Sequence, residues 1–123
     1  MKPLGLFTLV GRIAVPCLDL LNWGQWMEKN HQNRHVGDDL LETSVEGEKI
    51  SIRVSTVFIG LDHNFGEGDP LLFETMIFGG PHSGDTYRYH TWGEAEEGHR
   101  KWLDRERRWV CPADGNPVEG ESR

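Results

Sequence analysis

A chain of 123 residues with 37% hydrophobic residues, five Trp and five Phe can bury one modest core, which excludes a disordered chain and predicts a single domain. The formal net charge of −7 argues against broad binding to a phosphate backbone, which depends on Lys and Arg, while leaving room for a local basic pocket. No run approaches the roughly 18 apolar residues that a membrane span requires.

Taken in order, the apolar segment near the N-terminus is interrupted by Gly11 and Arg12 and has no small-residue cleavage site. It reads as a first strand, Leu6 to Val10, and not as a secretory signal. Pro16 suits a first helical turn, and Cys17, Leu20, Leu21, Gly24 and Met27 recur at helical spacing. This predicts a helix from about Cys17 to Lys29 that buries that stripe, leaves Asp19, Asn22 and Gln25 outside, and is flanked by Trp23 and Trp26. A polar stretch follows, in which His31, Arg34 and His35 sit beside Asp38 and Asp39. Leu40 to Val45 then forms a strand that turns at Glu46-Gly47.

The centre of the chain alternates. Ile50, Ile52, Val54 and Phe58 fall on one side, Ser51, Arg53 and Ser55 on the other, which is strand periodicity in residues suited to a pleated surface. Leu71 to Phe78 is apolar on both faces apart from Glu74 and Thr75, and the two runs predict an antiparallel pair at the middle of a sheet. The connection from Gly60 to Pro70 is longer than a hairpin needs, and such loops between rigid strands often carry function. Pro81 to Asp85 reads as a turn and Thr86 to His90 as a short strand.

Thr91-Trp92-Gly93-Glu94 is a capping box. The helix it opens carries Glu94, Glu96 and Glu97 early and Arg105, Arg107 and Arg108 late, an order that complements the macrodipole. Its buried stripe is Ala95, His99, Trp102 and Leu103, and it ends near Trp109, ahead of Pro112. Residues 1–111 are therefore expected to form one α+β domain, an antiparallel sheet of about four to five strands with two helices. Residues 112–123 are expected to be a disordered tail.

The loop Asp62-His63-Asn64-Phe65 places an acid, an imidazole and an amide side by side. With His82, Asp85 and His90 it is a candidate metal or acid/base site, although Asp, Asn and Gly are also ordinary loop residues and no His pair has metal spacing. Glu74 shares a strand face with Leu72, Met76 and Phe78, so it should find a backbone donor or a nearby Arg. His99, on an apolar stripe, should be a packed core histidine. Arg53, Arg88 and Arg100 are candidates to face an anion, and Phe65, Tyr87 and Tyr89 to stack on a base. Gly66-Glu67-Gly68 is too short for a phosphate loop, and no nucleophile elbow or Cys–His signature is present. Cys17 and Cys111 have no metal spacing and are expected to be reduced thiols.

The run from Val54 to Phe65, Val-Ser-Thr-Val-Phe-Ile-Gly-Leu-Asp-His-Asn-Phe, and the run Leu72-Phe-Glu-Thr-Met-Ile-Phe-Gly-Gly-Pro81 resemble a family of small uncharacterised bacteriophage and prophage proteins. Trp23-Gly-Gln-Trp-Met27 and the entry to the last helix, Arg88 to Trp92, share the resemblance, which spans Leu6 to about Trp102. It carries no catalytic residues. It implies a phage accessory protein in the cytoplasm of the bacterial host.

The expectation is then a non-enzymatic binding protein, with no cofactor, that blunts a host process such as antiviral defence. Its target is either a host protein or a small nucleotide. The alternative is a small metal-dependent hydrolase using Asp62, His63 and Glu74. A transcriptional or morphogenetic role is a third, with direct DNA reading disfavoured because no basic helix is present. Both faces of the central strands need cover and only two helices are available, so a homodimer is expected, joined through those strands or the Trp23–Trp26 side.

Overall fold

Ile52, Val54, Thr56 and Phe58 alternate with more exposed neighbours, and in the computed structural model, which describes residues 5–64 and 67–110, they lie on the closed face of the central strand. That strand is β4 (Glu48–Phe58). Before it come β1 (Leu6–Val10), β2 (Ile13–Cys17), α1 (Leu20–Lys29) and β3 (His35–Val45); after it come β5 (Phe73–Phe78), β6 (Thr86–Tyr89) and α2 (Trp92–Val110). β3, β4, β5 and β6 form a four-stranded antiparallel sheet in sequence order, and β1 and β2 a separate antiparallel pair. The fold is α+β, as expected. The expected tail and Cys111 lie outside the described residues.

The β3–β4 turn is Glu46-Gly47 with φ of 53° and 83°. Two successive positive φ values match the twist of a tight hairpin, which is why glycine serves at the second position. β3 is longer than the predicted Leu40–Val45, running back to His35 through an irregularity between His35 and Gly37.

α2 packs on one face of the sheet and begins where the capping box predicts. The Thr91 hydroxyl accepts from Glu94 N (3.1 Å), while Glu94 Oε1 accepts from His90 N (3.0 Å), one residue before the expected reciprocal donor. Ala95, Gly98, His99, Leu103, Glu106 and Trp109 are its buried residues. Trp102 is half-buried and stacks on Tyr87 at 3.8 Å.

The N-terminal third departs from the expectation. Cys17 closes β2, Pro16 pairs with Phe7, and the helix begins only at Leu20. Asp19 is its N-cap, with Oδ1 accepting from Leu21 N (2.9 Å) and Asn22 N (3.3 Å). A carboxylate cap is a stronger start signal than a proline three residues earlier. No residue of α1 is fully buried, and Leu20 and Leu21, expected inside, are 64% and 70% exposed. The inward residues are the large ones, Trp23, Trp26 and Met27. Trp23 Nε1 donates to Phe7 O and Gly60 O, and Trp26 meets Phe58 edge-on at 5.9 Å. Indole area outweighs leucine area when a helix has only one face to dock.

The long β4–β5 connection holds the small sheet against the large one. Phe7 N donates to Gly60 O (2.8 Å) and Asp62 N to Gly5 O (2.8 Å). The apolar core has two parts. Leu9, Phe58, Leu72, Phe73 and Ala95 form one, and Ile52, Val54, Ile77, Leu103 and Trp109 the other. Buried Thr56, Thr75 and His99 are the polar members of the same sheet–helix interface.

Candidate functional site

The loop singled out by its Asp-His-Asn triplet is organised by its own backbone. Asp62 Oδ1 accepts from Asn64 N (2.8 Å) and Leu71 N (3.1 Å), Asn64 Nδ2 donates to Asp69 O, and His63 Nδ1 lies 2.8 Å from Leu61 O. These are the local bonds that make Asp and Asn frequent in turns. Phe65 lies outside the described residues. His82 and Asp85 sit at the β5–β6 turn, bonded to Glu106 and to Tyr87 and Arg105 respectively, whereas His90 bonds Pro70 O. Among the described residues, no group of three or more His, Cys, Asp or Glu side chains is placed to hold a metal.

The proposed arginine and tyrosine set is divided by the sheet. Arg53 forms a two-pronged pair with Asp38 (2.8 and 2.7 Å), and Arg88 meets Glu74 (3.1 Å), which answers the question of what partners Glu74. The Arg53 guanidinium, chiefly through its hydrogen bonds, holds the Asp38 carboxyl below the usual range. Both pairs lie on the face away from α2. Tyr87 and Tyr89 alternate with Arg88 and point to the α2 side, where Tyr87 stacks on Trp102 and Tyr89 bonds Thr75. Arg100 is exposed on α2.

Tyr89 begins a continuous chain of polar contacts through the interior. Its hydroxyl donates to Thr75 Oγ1 (2.9 Å), Thr75 and Thr56 hydroxyls are 2.5 Å apart, Thr56 Oγ1 is 2.7 Å from His99 Nδ1, and His99 Nε2 is 2.7 Å from Asp39 Oδ2. A carboxylate only accepts, so Nε2 carries the proton. With a neutral imidazole, Nδ1 then accepts from Thr56 and every donor in the chain points toward Asp39. Burial pushes the Tyr89 phenol above its usual value. The order acid, imidazole, hydroxyl has the look of a nucleophilic triad. Thr56, however, has no exposed surface, so no substrate reaches that oxygen. Two glycines make room for the chain: a Cβ at Gly37 would lie 2.6 Å from His99 Nε2, and one at Gly98 2.3 Å from the Tyr89 ring and hydroxyl.

A second buried group surrounds Glu106, which has no exposed surface. Its Oε2 faces His82 Nδ1 (2.9 Å) and accepts from Arg105 Nε (2.8 Å), while Arg105 also reaches Tyr87 and Asp85. Oε1 is buried without a hydrogen-bond partner.

The surface of the β1–β2–α1 unit is unusually apolar. Val10, Ile13, Leu18, Leu20 and Leu21 are 64% to 74% exposed. Beneath the hairpin, Arg12 reaches back so that its guanidinium sits 5.1 Å from the centre of the Trp92 ring. A cavity of about 330 Å³ and another of about 500 Å³ both have Arg12 and Trp92 in their walls. The sequence hides this region because Arg12 interrupts an apolar run. The available signal was Gly11-Arg12 between two apolar runs, a two-residue turn with glycine first. Comparison of the chain with protein-family models, curated proteins and solved structures returned no match.

Proposed function

We propose that the chain is a phage-encoded accessory protein that acts by binding, without chemistry of its own, and blunts a host process by occupying a host protein of its antiviral defence. The observation that carries this reading is the set of five large apolar side chains, Val10, Ile13, Leu18, Leu20 and Leu21, left 64% to 74% exposed within one small unit. Single exposed apolar residues are ordinary, whereas Leu18, Leu20 and Leu21 fall within four consecutive positions at the start of α1, with Val10 and Ile13 apart at the hairpin tip, and such a run marks an interaction surface. The net charge of −7 favours a partner with basic patches. The test is affinity capture from host lysate by the wild-type chain and by a Leu18→Glu/Leu21→Glu variant. Both substituted side chains are exposed, so the variant keeps its fold by circular dichroism. A partner retained by both proteins, or by neither, refutes the reading.

The chain's own second copy is the other proposed partner. α2 covers one sheet face, while Leu40 and Phe78 on the opposite face are 62% and 46% exposed. Two-fold association through that face would bury them. Light scattering at micromolar concentration tests it, and a mass near the chain's 14.1 kDa refutes it.

A further inference from the structure

We propose that the cleft between the β1–β2 hairpin and the start of α2 is a small-molecule site for a heteroaromatic ring that carries one oxyanionic group. The ring compartment is the cavity of about 330 Å³, whose apolar wall is Phe7, Ala14, Leu72, Phe73 and Trp92. That size and lining are those of a ligand pocket, in which a mostly apolar wall holds the body and a few polar groups fix its orientation. Beyond Arg12 and Trp92 lies the compartment of about 500 Å³, with the amides of Asn30, Gln32 and Asn33 and the imidazole of His35 in its wall. One half is built for a ring; the other, which Leu9 and Trp26 also line, offers polar groups, although Asn30 and Asn33 each spend one amide N–H on Trp26 O and Asn30 Oδ1.

Arg12 stands at the boundary of the two. Its guanidinium lies over the Trp92 face, and its nearest ion-pair partner, Glu96 Oε2, is 3.9 Å away. At that distance the pair is no hydrogen bond, and among the described residues no acceptor takes the guanidinium's N–H groups. A planar cation held against an aromatic ring with its donors uncommitted is suited to an oxyanion. Trp92 Nε1, buried in the wall, has no acceptor either, and its ring stands edge-on to Phe73 at 6.1 Å.

His90 adds a requirement on the ring. Its Nδ1 is 3.0 Å from Pro70 O, and a carbonyl only accepts, so Nδ1 carries a proton and, with a neutral imidazole, Nε2 is an acceptor. The matching ligand has an N–H donor on its ring. Asp69 shares the ring compartment, which turns the anionic group away from that side and toward Arg12 and the amides. Adenosine 5′-monophosphate, through its exocyclic 6-amino group, and an indole carboxylate, through its ring N–H, both have this chemistry.

Calorimetry and tryptophan fluorescence with four probes test the site: adenosine 5′-monophosphate, adenosine, indole-3-acetate and inorganic phosphate. The expected result is saturable binding of the nucleotide or the indole carboxylate at or below about 1 mM. Which of them binds identifies the source of the ring. Arg12→Met, an exposed turn position, weakens that ligand by about tenfold or more. No saturable signal with either ring-bearing anion overturns the proposal. So does equal binding to Arg12→Met, or phosphate alone binding as tightly as the ring compounds. The Leu18→Glu/Leu21→Glu variant keeps the ligand, so failure here and failure of the protein-docking surface are separate results.

Discussion

Replacing Gly98 with alanine should destabilise the protein even though alanine is the better helix former. Gly98 lies inside α2, where the exchange alone favours the folded state by about 1 kcal/mol. Against this, the new Cβ would fall 2.3 Å from Cε1, Cζ and Oη of Tyr89. The phenol cannot swing away freely, because its hydroxyl is bonded to Thr75 at 2.9 Å. Forced overpacking costs about 1–3 kcal/mol, and the lost hydrogen bond about 1 kcal/mol more. The net expectation for Gly98→Ala is a loss of about 1–3 kcal/mol, read as a lower midpoint at constant slope in urea unfolding. The control is a double-mutant cycle. With Tyr89→Ala already present the clash is gone, and Gly98→Ala should then stabilise by up to about 1 kcal/mol. A neutral or stabilising Gly98→Ala in the otherwise wild-type chain would refute the reasoning.

Thr56→Val keeps the shape of a fully buried side chain but leaves His99 Nδ1 and Thr75 without their shared partner, which should cost about 1–3 kcal/mol in chemical denaturation. Glu106→Ala should cost about 3 kcal/mol or more, since it strips Arg105 of a buried counter-charge; a loss below 1 kcal/mol would mean that Asp85 alone suffices. Burial raises the Tyr89 pKa above the usual 10, so its contribution to stability is fully present below pH 10 and is lost as pH rises through the folded value. Absorbance titration at alkaline pH should show a late-ionising tyrosine that disappears in Tyr89→Phe.

The large sheet was legible because β4 and β5 carry its pattern locally: alternation at Ile52, Val54 and Phe58, a turn residue pair at Glu46-Gly47, and a capping box at Thr91. β2 is hidden in the sequence because Pro16 suits a helix start equally well, whereas in a two-stranded pair it sits in a strand that has a free edge. The helical stripe through Leu20 and Leu21 followed spacing alone, and the two indoles took the docking face instead. His99 is packed in the core, as its place on the stripe predicts. Its partners were beyond reach, because Asp39 lies 60 residues away and Thr56 43, and only the strand order brings them together. Arg53, Arg88, Tyr87 and Tyr89 were grouped by residue type, whereas side-chain alternation along β6 puts Arg88 on the face opposite the two tyrosines.

Alternation of apolar residues repeats every two positions, so hydrophobicity cannot tell the native alignment of β4 on β5 from one shifted by two. Either shift would still turn Ile52, Val54 and Phe58 toward α2. It would also bring Val54 or Phe58 opposite Thr75 in place of Thr56, which is the native cross-strand partner. The Thr75 hydroxyl would then lose the buried Thr56 oxygen that accepts from it, at about 1–3 kcal/mol, and the chain from Tyr89 to His99 would be cut. The hydroxyl pair with its imidazole thus acts as a vernier on the sheet: oily side chains bring the strands together, and two threonines read off the only position at which they may stop.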